Sequence, residues 1–398
     1  MNPKVGKEAA TRYRRHFGSA ATVMAYAPGR VEILGNHTDY NEGYVLSAAI
    51  NRGTFFLAGP TAGRVCRVVA GDLLAAGDPR AESRFELDSL APVPQPGWSG
   101  YVKGVVAKLL AHGAWPHGFQ GLFLGDLPLG AGLSSSAALE ISCALALCAL
   151  YGWTLPPLEL ARIGQAAEHE FVGIRCGLLD QITSLFGRED ALVFTDFRTL
   201  AVETVPLGRE AVLLLCNTGV KHALVESEYN VRRAACERAA AFFAGVLPHP
   251  VRALRDVSWE EWRGRPAGLD ATDAQRAAHI IGENERVLRG RELLRAGQLE
   301  AFGALMFDSH ESSRTLFENS CPELDDLVAA ARGHTGVLGA RLSGGGFGGS
   351  VLVLVRREEA ERVARELQAD YARAYGEPCT AMVVRPSAGA SSGPCAER

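Results

Sequence analysis

The sequence predicts an α+β protein of two domains, and three observations carry that reading. The 398 residues are 47% hydrophobic and 22% charged, enough apolar material for two full cores and too little charge for a disordered chain. The first half alternates short β-branched runs with helix-periodic stretches. The second half closes on a strand–loop–strand–helix–strand unit, the pattern of helices layered on one sheet.

Taken in order, Thr22–Ala27, Tyr44–Ile50, Gly53–Ala58 and Arg64–Ala70 read as strands bounded by Gly, Pro or Asn. Trp98–His112 carries Val102, Val105, Val106, Leu109 and Leu110, the spacing of one buried helical face. Gly118–Gly125 reads as a strand, Leu127–Leu133 as a loop, and Ser134–Ser136 open a helix to Tyr151; Pro157–Phe171 and Leu178–Phe186 fit further helices. The second half starts with the strand Ala211–Cys216 and a long helix from about Ala223 to Gly245. Helices Thr272–Ala296, Leu299–Glu311 and Pro322–Arg332 follow an irregular connection. The strand pair Gly336–Leu342 and Ser350–Val355 flanks a glycine run, before the helix Glu358–Tyr375 and the strand Thr380–Val384. The expected division is 1–205, 206–385 and a small, polar, disordered tail over 386–398.

Composition excludes several functions. Basic residues number 41 against 45 acidic, for a net charge of −4, with no Lys/Arg block of the kind that tracks a phosphate backbone. The longest apolar stretch, Ala137–Leu155, contains Glu140 and follows serines, which favours a buried helix over a membrane span. Nine cysteines lack CxxC or metal-like spacing, and Met1–Gly18 has no apolar core of a signal peptide; a cytoplasmic, reducing setting is expected.

Three motifs carry chemistry. Pro28–Asn41 (PGRVEILGNHTDYN) packs a guanidinium, amides, an imidazole and a carboxylate between two strands. Such paired donors and acceptors suit sugar hydroxyls, though taken alone the stretch fits an ordinary Asn/Asp turn better. Leu127–Ala137 (LPLGAGLSSSA) places glycines before a serine-opened helix, which suits a phosphate at the helix N-terminus or simply a capped helix. It is not a GxxxxGK[ST] loop, because no lysine follows the glycines. Arg341–Ser350 (RLSGGGFGGS) satisfies GxGxxG by spacing, yet the strand-like Val351–Val355 follows where a dinucleotide fold needs a helix. Close backbone approach to a ligand or another loop fits better.

In order and separation these motifs resemble those of the GHMP small-molecule kinases, and the first is most similar to the galactokinase signature. Segments at 98–104, 176–181, 217–233 and 310–325 extend the resemblance over about residues 9–385. It implies an N-terminal ribosomal-protein-S5-like domain, a C-terminal ferredoxin-like domain and an active site in the cleft between them. It also implies phosphoryl transfer from MgATP to the anomeric hydroxyl of galactose by a monomer with only small-molecule partners. The implied catalytic pair is Asp180 and Arg30. Asn36, His37, Thr38, Asp39, Gly177 and Tyr229 match sugar-contacting positions. Ser136 and Glu168 match Mg²⁺ ligands. The run Gly130, Ala131, Gly132, Leu133, Ser134, Ser135 and Ser136 matches the phosphate loop, and Trp98 and Tyr101 the adenine pocket.

Three departures stand out. Asn36 replaces the family's usual glutamate at the sugar's C6 hydroxyl, Ser47 replaces a proline, and Ser313–Ser320 is less acidic than the family pattern. The Asn36 change leaves room for another sugar-1-kinase, acting on N-acetylgalactosamine or arabinose. A catalytically silent sugar sensor is disfavoured by the complete serine loop and by Asp180.

Overall fold

The computed structural model describes residues 1–92, 97–113, 115, 117–128, 132–174, 176–221 and 225–395. Eight strands form the first sheet: β1 (Val23–Leu34), β2 (Tyr44–Pro60), β3 (Val65–Ala70), β4 (Glu82–Glu86), β5 (Phe119–Gly125), β6 (Ala191–Asp196), β7 (Ala201–Pro206) and β12 (Ser391–Pro394). Their order is β12-β1-β2-β5-β3-β4, with β6 between the start of β2 and β7. The second sheet contains β8 (Ala211–Lys221), β9 (Val337–Ser343), β10 (Gly348–Arg356) and β11 (Thr380–Val384) in the order β11-β8-β10-β9. All its pairings are antiparallel.

The alternation of side chains along a strand decides which face each residue buries. On β2, Phe56 and Ala58 join Val102, Val105, Val106 and Leu109 of the helix Gly97–Leu110 and the apolar face of the helix Ser135–Tyr151. Phe55 and Leu57, one residue out of step, meet Ala9 and Tyr13 of the helix Pro3–Phe17. The two halves share one core. Val31, Ile33 and Leu46 of the first sheet pack with Leu213 and Leu352 of the second and with Phe302 of the helix Leu299–Ser312.

Several expectations are corrected. The two strands read over 44–50 and 53–58 are the single strand β2, whose start pairs with β6 and whose end pairs with β5. Asn51, Arg52 and Gly53 break the apolar pattern, and the register with β1 slips there, but β2 runs on through them as one strand. Pro28–Leu34 of the first motif lies within β1 rather than between strands. The helix expected to run to Phe171 changes to a π-helical turn at Glu168–Val172. The tail expected to be disordered instead crosses back to the first sheet: Ser391–Pro394 pairs antiparallel with Val23–Tyr26. Ser387 N and Gly389 N also donate to the carbonyls of Ala49 and Gly187. A small polar segment gives no apolar pattern, but it suffices to cover an edge already built.

Candidate active site

The site starts at a bulge. The β1–β2 register slips between Pro28 and Arg30, and a Cβ on Gly29 would lie 2.6 Å from the Leu133 carbonyl oxygen. Without a side chain there, β1 runs against the end of the serine loop, and Arg30 N donates to the Leu133 carbonyl (3.1 Å). Arg30 Nε then reaches Asp180 Oδ1 at 2.7 Å, and Nη1 donates to the Gly132 carbonyl at 2.6 Å. Asp180 sits in the first turn of the helix Leu179–Phe186. Its second oxygen, Oδ2, accepts from Ser134 Oγ at 2.5 Å. Ser134 adopts a left-handed φ of 54° and leaves the N-terminus of the helix Ser135–Tyr151 without a side-chain cap. The hydroxyl in the capping position serves the carboxylate instead.

These groups open onto a cavity of about 670 Å³. Among the described residues its wall includes Arg30, Glu32, Asn36, His37, Asp39, Gly177, Asp180 and Tyr229, with Gly344 and Gly345 of the third motif opposite. The first and third motifs touch directly. Asn36 Nδ2 donates to the Gly344 carbonyl (2.8 Å) and to Glu32 Oε1 (3.0 Å), and Asn36 Oδ1 accepts from Asn319 Nδ2 (2.9 Å). His37 Nε2 donates to the Gly345 carbonyl (3.1 Å), so Nδ1 accepts from the Tyr40 hydroxyl (2.8 Å). Burial holds this imidazole neutral, with its pKa lowered to about 4. Asp39 is shifted the other way: burial, with the Glu32 carboxylate adding to it, raises it to about 6. Gly177 lies so close to Asp39 that a Cβ there would fall 2.2 Å from Oδ2.

The loop is gripped from the second half of the chain. Glu283 Oε1, on the helix Ala271–Arg295, accepts from Gly35 N (3.0 Å), Asn36 N (3.4 Å) and Ser309 Oγ (2.6 Å). Burial opposes its charge, but Arg286, His279 and Arg341 outweigh it and hold the carboxyl well below the usual range. Asn284 Oδ1 accepts from Tyr44 N (3.0 Å).

The remaining expected residues stand as follows. Thr38 is not at the cavity; it is fully buried and its hydroxyl bonds the Gly35 and Tyr44 carbonyls. A hydroxyl this close to two turn carbonyls closes the loop rather than facing a ligand. Gly130 and Ala131 lie outside the described residues. Trp98 Nε1 donates to the Arg80 carbonyl (2.9 Å), and its ring meets Phe123 edge-on. Ser135 and Ser136 occupy the first helical turn, half-buried. Tyr101 is pushed up to about 12 by burial, with Glu168 and Glu140 contributing. Glu168 is buried. It stands beside Glu140, whose pKa burial and the Glu168 charge together push well above the carboxylate range. Glu140 Oε2 accepts from Gln181 Nε2 (2.9 Å), and the side chain also lies within hydrogen-bond reach of Glu168.

Sequence reasoning missed Glu32, Asn230, Asn319 and the roles of Gly344 and Gly345. Glu32 was legible, because two residues after Arg30 on a strand means the same face. Asn319 was not, since only the fold brings residue 319 to residue 36.

Known families match the chain in both halves. The model of the GHMP kinase N-terminal domain matches residues 100–188, that of the GHMP kinase C-terminal domain residues 291–373, and the galactokinase galactose-binding signature residues 11–60. A galactokinase of Roseiflexus sp. is 38% identical over 378 residues, 95% of either chain. The chain belongs to the galactokinase family of GHMP kinases. A second family member, from Thermotoga maritima, is 39% identical over 88% of this chain and 94% of its own. The crystal structure of Lactococcus lactis galactokinase complexed with galactose superposes with a TM-score of 0.90 at 32% identity, covering 97% of this chain and 99% of that one. A mevalonate kinase, at 18% identity and a TM-score of 0.61, shares the GHMP fold.

Proposed function

We infer that the protein transfers the γ-phosphoryl group of ATP to the C1 hydroxyl of galactose, giving galactose 1-phosphate and ADP. The observation that carries this is the Arg30–Asp180–Ser134 cluster opening onto a cavity walled by hydroxyl-binding groups.

A sugar hydroxyl is a weak nucleophile, so positioning and charge stabilisation do most of the work. Asp180 has one lone-pair direction of each oxygen occupied, by Arg30 and by Ser134. The carboxylate is thereby fixed, with its remaining capacity free to accept the C1 hydroxyl proton. The sugar oxygen forms the new bond to phosphorus as the bond to the β–γ bridging oxygen breaks, and ADP leaves. Arg30 offsets the charge that builds on the transferred group. The uncapped N-terminus of the helix Ser135–Tyr151 offers backbone N–H groups to the phosphates.

Mg²⁺ fits the residues present. Ser136 and Glu140 lie four apart on one helix face, and Glu140 and Glu168 are two buried carboxyl groups within hydrogen-bond reach of each other, a pair that a cation would let carry charge. Ser136 and Glu168 would hold the ion, Glu140 standing behind them; when bound it neutralises phosphate charge. Trp98 and Tyr101 would flank the adenine. No helix among the described residues is long and apolar enough to cross a membrane; we propose a cytoplasmic setting, in which the nine free cysteines would stay reduced.

The test is a coupled ADP-release assay with MgATP across galactose, N-acetylgalactosamine, glucose and arabinose. Galactose should give the highest kcat/KM. A higher value with either alternative sugar would transfer the reading to another sugar-1-kinase, and no sugar-dependent release would remove it.

A further inference from the structure

The wall of the cavity holds a carboxylate to which none of the matched motifs gives a role. Glu32 follows Arg30 by two residues on β1, so both side chains leave the strand on the cavity side, while Val31 and Ile33 enter the core. Glu32 is 5% exposed. Its charge is balanced by Arg341, which is fully buried and donates from Nη1 to Oε1 at 2.9 Å. Asn36 Nδ2 donates to the same oxygen at 3.0 Å. Both protein contacts therefore fall on Oε1. Among the described residues Oε2 has no partner, and Glu32 forms part of the cavity wall.

Asn36, by contrast, is spent. Its two N–H donors go to Glu32 Oε1 and the Gly344 carbonyl, and its oxygen accepts from Asn319 Nδ2 and, at 3.4 Å, from Ser313 Oγ. A primary amide has no donor beyond those two. The neighbouring His37 has likewise committed both ring nitrogens.

We propose that Glu32 is a specificity-determining residue of this site: its Oε2 accepts a hydrogen bond from a galactose hydroxyl other than the one phosphorylated, and Asn36 is the positioning residue that holds it. A carboxylate is an acceptor only, so the group it takes is a neutral hydroxyl donor, and an anionic ligand is turned away from this end of the cavity. The C1 hydroxyl is claimed by Asp180, which leaves Glu32 a hydroxyl elsewhere on the ring or its side arm. Two of the three departures from the family pattern, at 36 and at 313–320, then meet in one hydrogen-bonded cluster beside Glu32.

This inference rests on the galactose-kinase reading, and the test separates the two. Steady-state ADP release is measured for the native enzyme and Glu32→Gln with galactose and with its 2-, 3-, 4- and 6-deoxy derivatives. Loss of a charged hydrogen bond to a buried hydroxyl raises the galactose KM by about 10- to 100-fold with a smaller change in kcat. One deoxy sugar should show that raised KM already in the native enzyme, with no further rise in Glu32→Gln. If Glu32→Gln fails to fold because Arg341 is left unpaired, Glu32→Asp keeps the negative charge and is taken through the same series. An unchanged galactose KM, or an equal loss across every sugar, overturns the assignment while the kinase reading stands. A native enzyme that releases no ADP with galactose overturns both.

Discussion

Gly177→Ala puts the sugar pocket under a defined steric load. A Cβ at this position would stand 2.2 Å from Asp39 Oδ2, where ordinary contact begins near 3.4 Å. One of the two groups must therefore retreat by about 1.2 Å. The backbone at Gly177 is not in the left-handed region, so alanine brings no conformational strain and the perturbation is confined to the contact. Overpacking of this kind costs roughly 1–3 kcal/mol when the structure absorbs it. Here the cheaper response is rotation of the Asp39 carboxylate away from the cavity, where the proposed function puts the sugar. That forfeits a charge-assisted hydrogen bond to a hydroxyl, about 1.5–3 kcal/mol, which corresponds to a galactose KM raised by about 10- to 100-fold. The groups proposed to face ATP take no part in this contact, so the KM for MgATP should stay within about twofold. The assay is initial-rate ADP release with galactose and MgATP varied in turn, alongside a thermal melt. A native galactose KM in a folded Gly177→Ala enzyme would refute the placement of Asp39 on the sugar.

Two further outcomes follow from the same geometry. Asp180→Asn keeps the side-chain volume and its Ser134 and Arg30 neighbours but cannot accept the hydroxyl proton, so kcat should fall by about 10²–10⁴-fold with the melting temperature little changed; retention of a tenth of the native kcat would count against proton transfer to this residue. Asp39 titrates near 6 because burial and Glu32 disfavour its charge. The folded pKa is raised, so the protonated form is the favoured one, and the fold loses stability as pH climbs from the unfolded value of about 4 through 6. A sugar hydroxyl donating to the carboxylate favours the charged form. Galactose should therefore bind more weakly below pH 6, by up to about tenfold per pH unit, and level off above it. Calorimetry between pH 5 and 7.5 measures this, with Asp39→Asn as the flat control; a native affinity constant over that range would dismiss the contact.

The sequence alone carried the three motifs, the resemblance that joins them and most of the elements. Helical spacing marked Val102–Leu110 as one buried face, and β-branched runs marked β1, β3 and the second sheet. These are local signals, set by the periods of helix and strand. Polar strands such as β12 and β4 carry no such signal, because they are placed by edges that other segments build.

Tertiary structure alone decided what each site residue has left to give. Sequence groups Asn36, His37 and Thr38 with Asp39 as equals, but folding spends the first three on Glu32, Gly344, Gly345, Tyr40, Gly35 and Tyr44 and keeps Asp39 at the cavity. The reason is physical. A side chain's chemistry is written in its residue type, whereas its unspent hydrogen-bonding capacity depends on partners hundreds of residues away. Residue 36 meets residues 319 and 344, residue 32 meets residue 341, and the backbone of residue 35 meets Glu283 only once both sheets share a core.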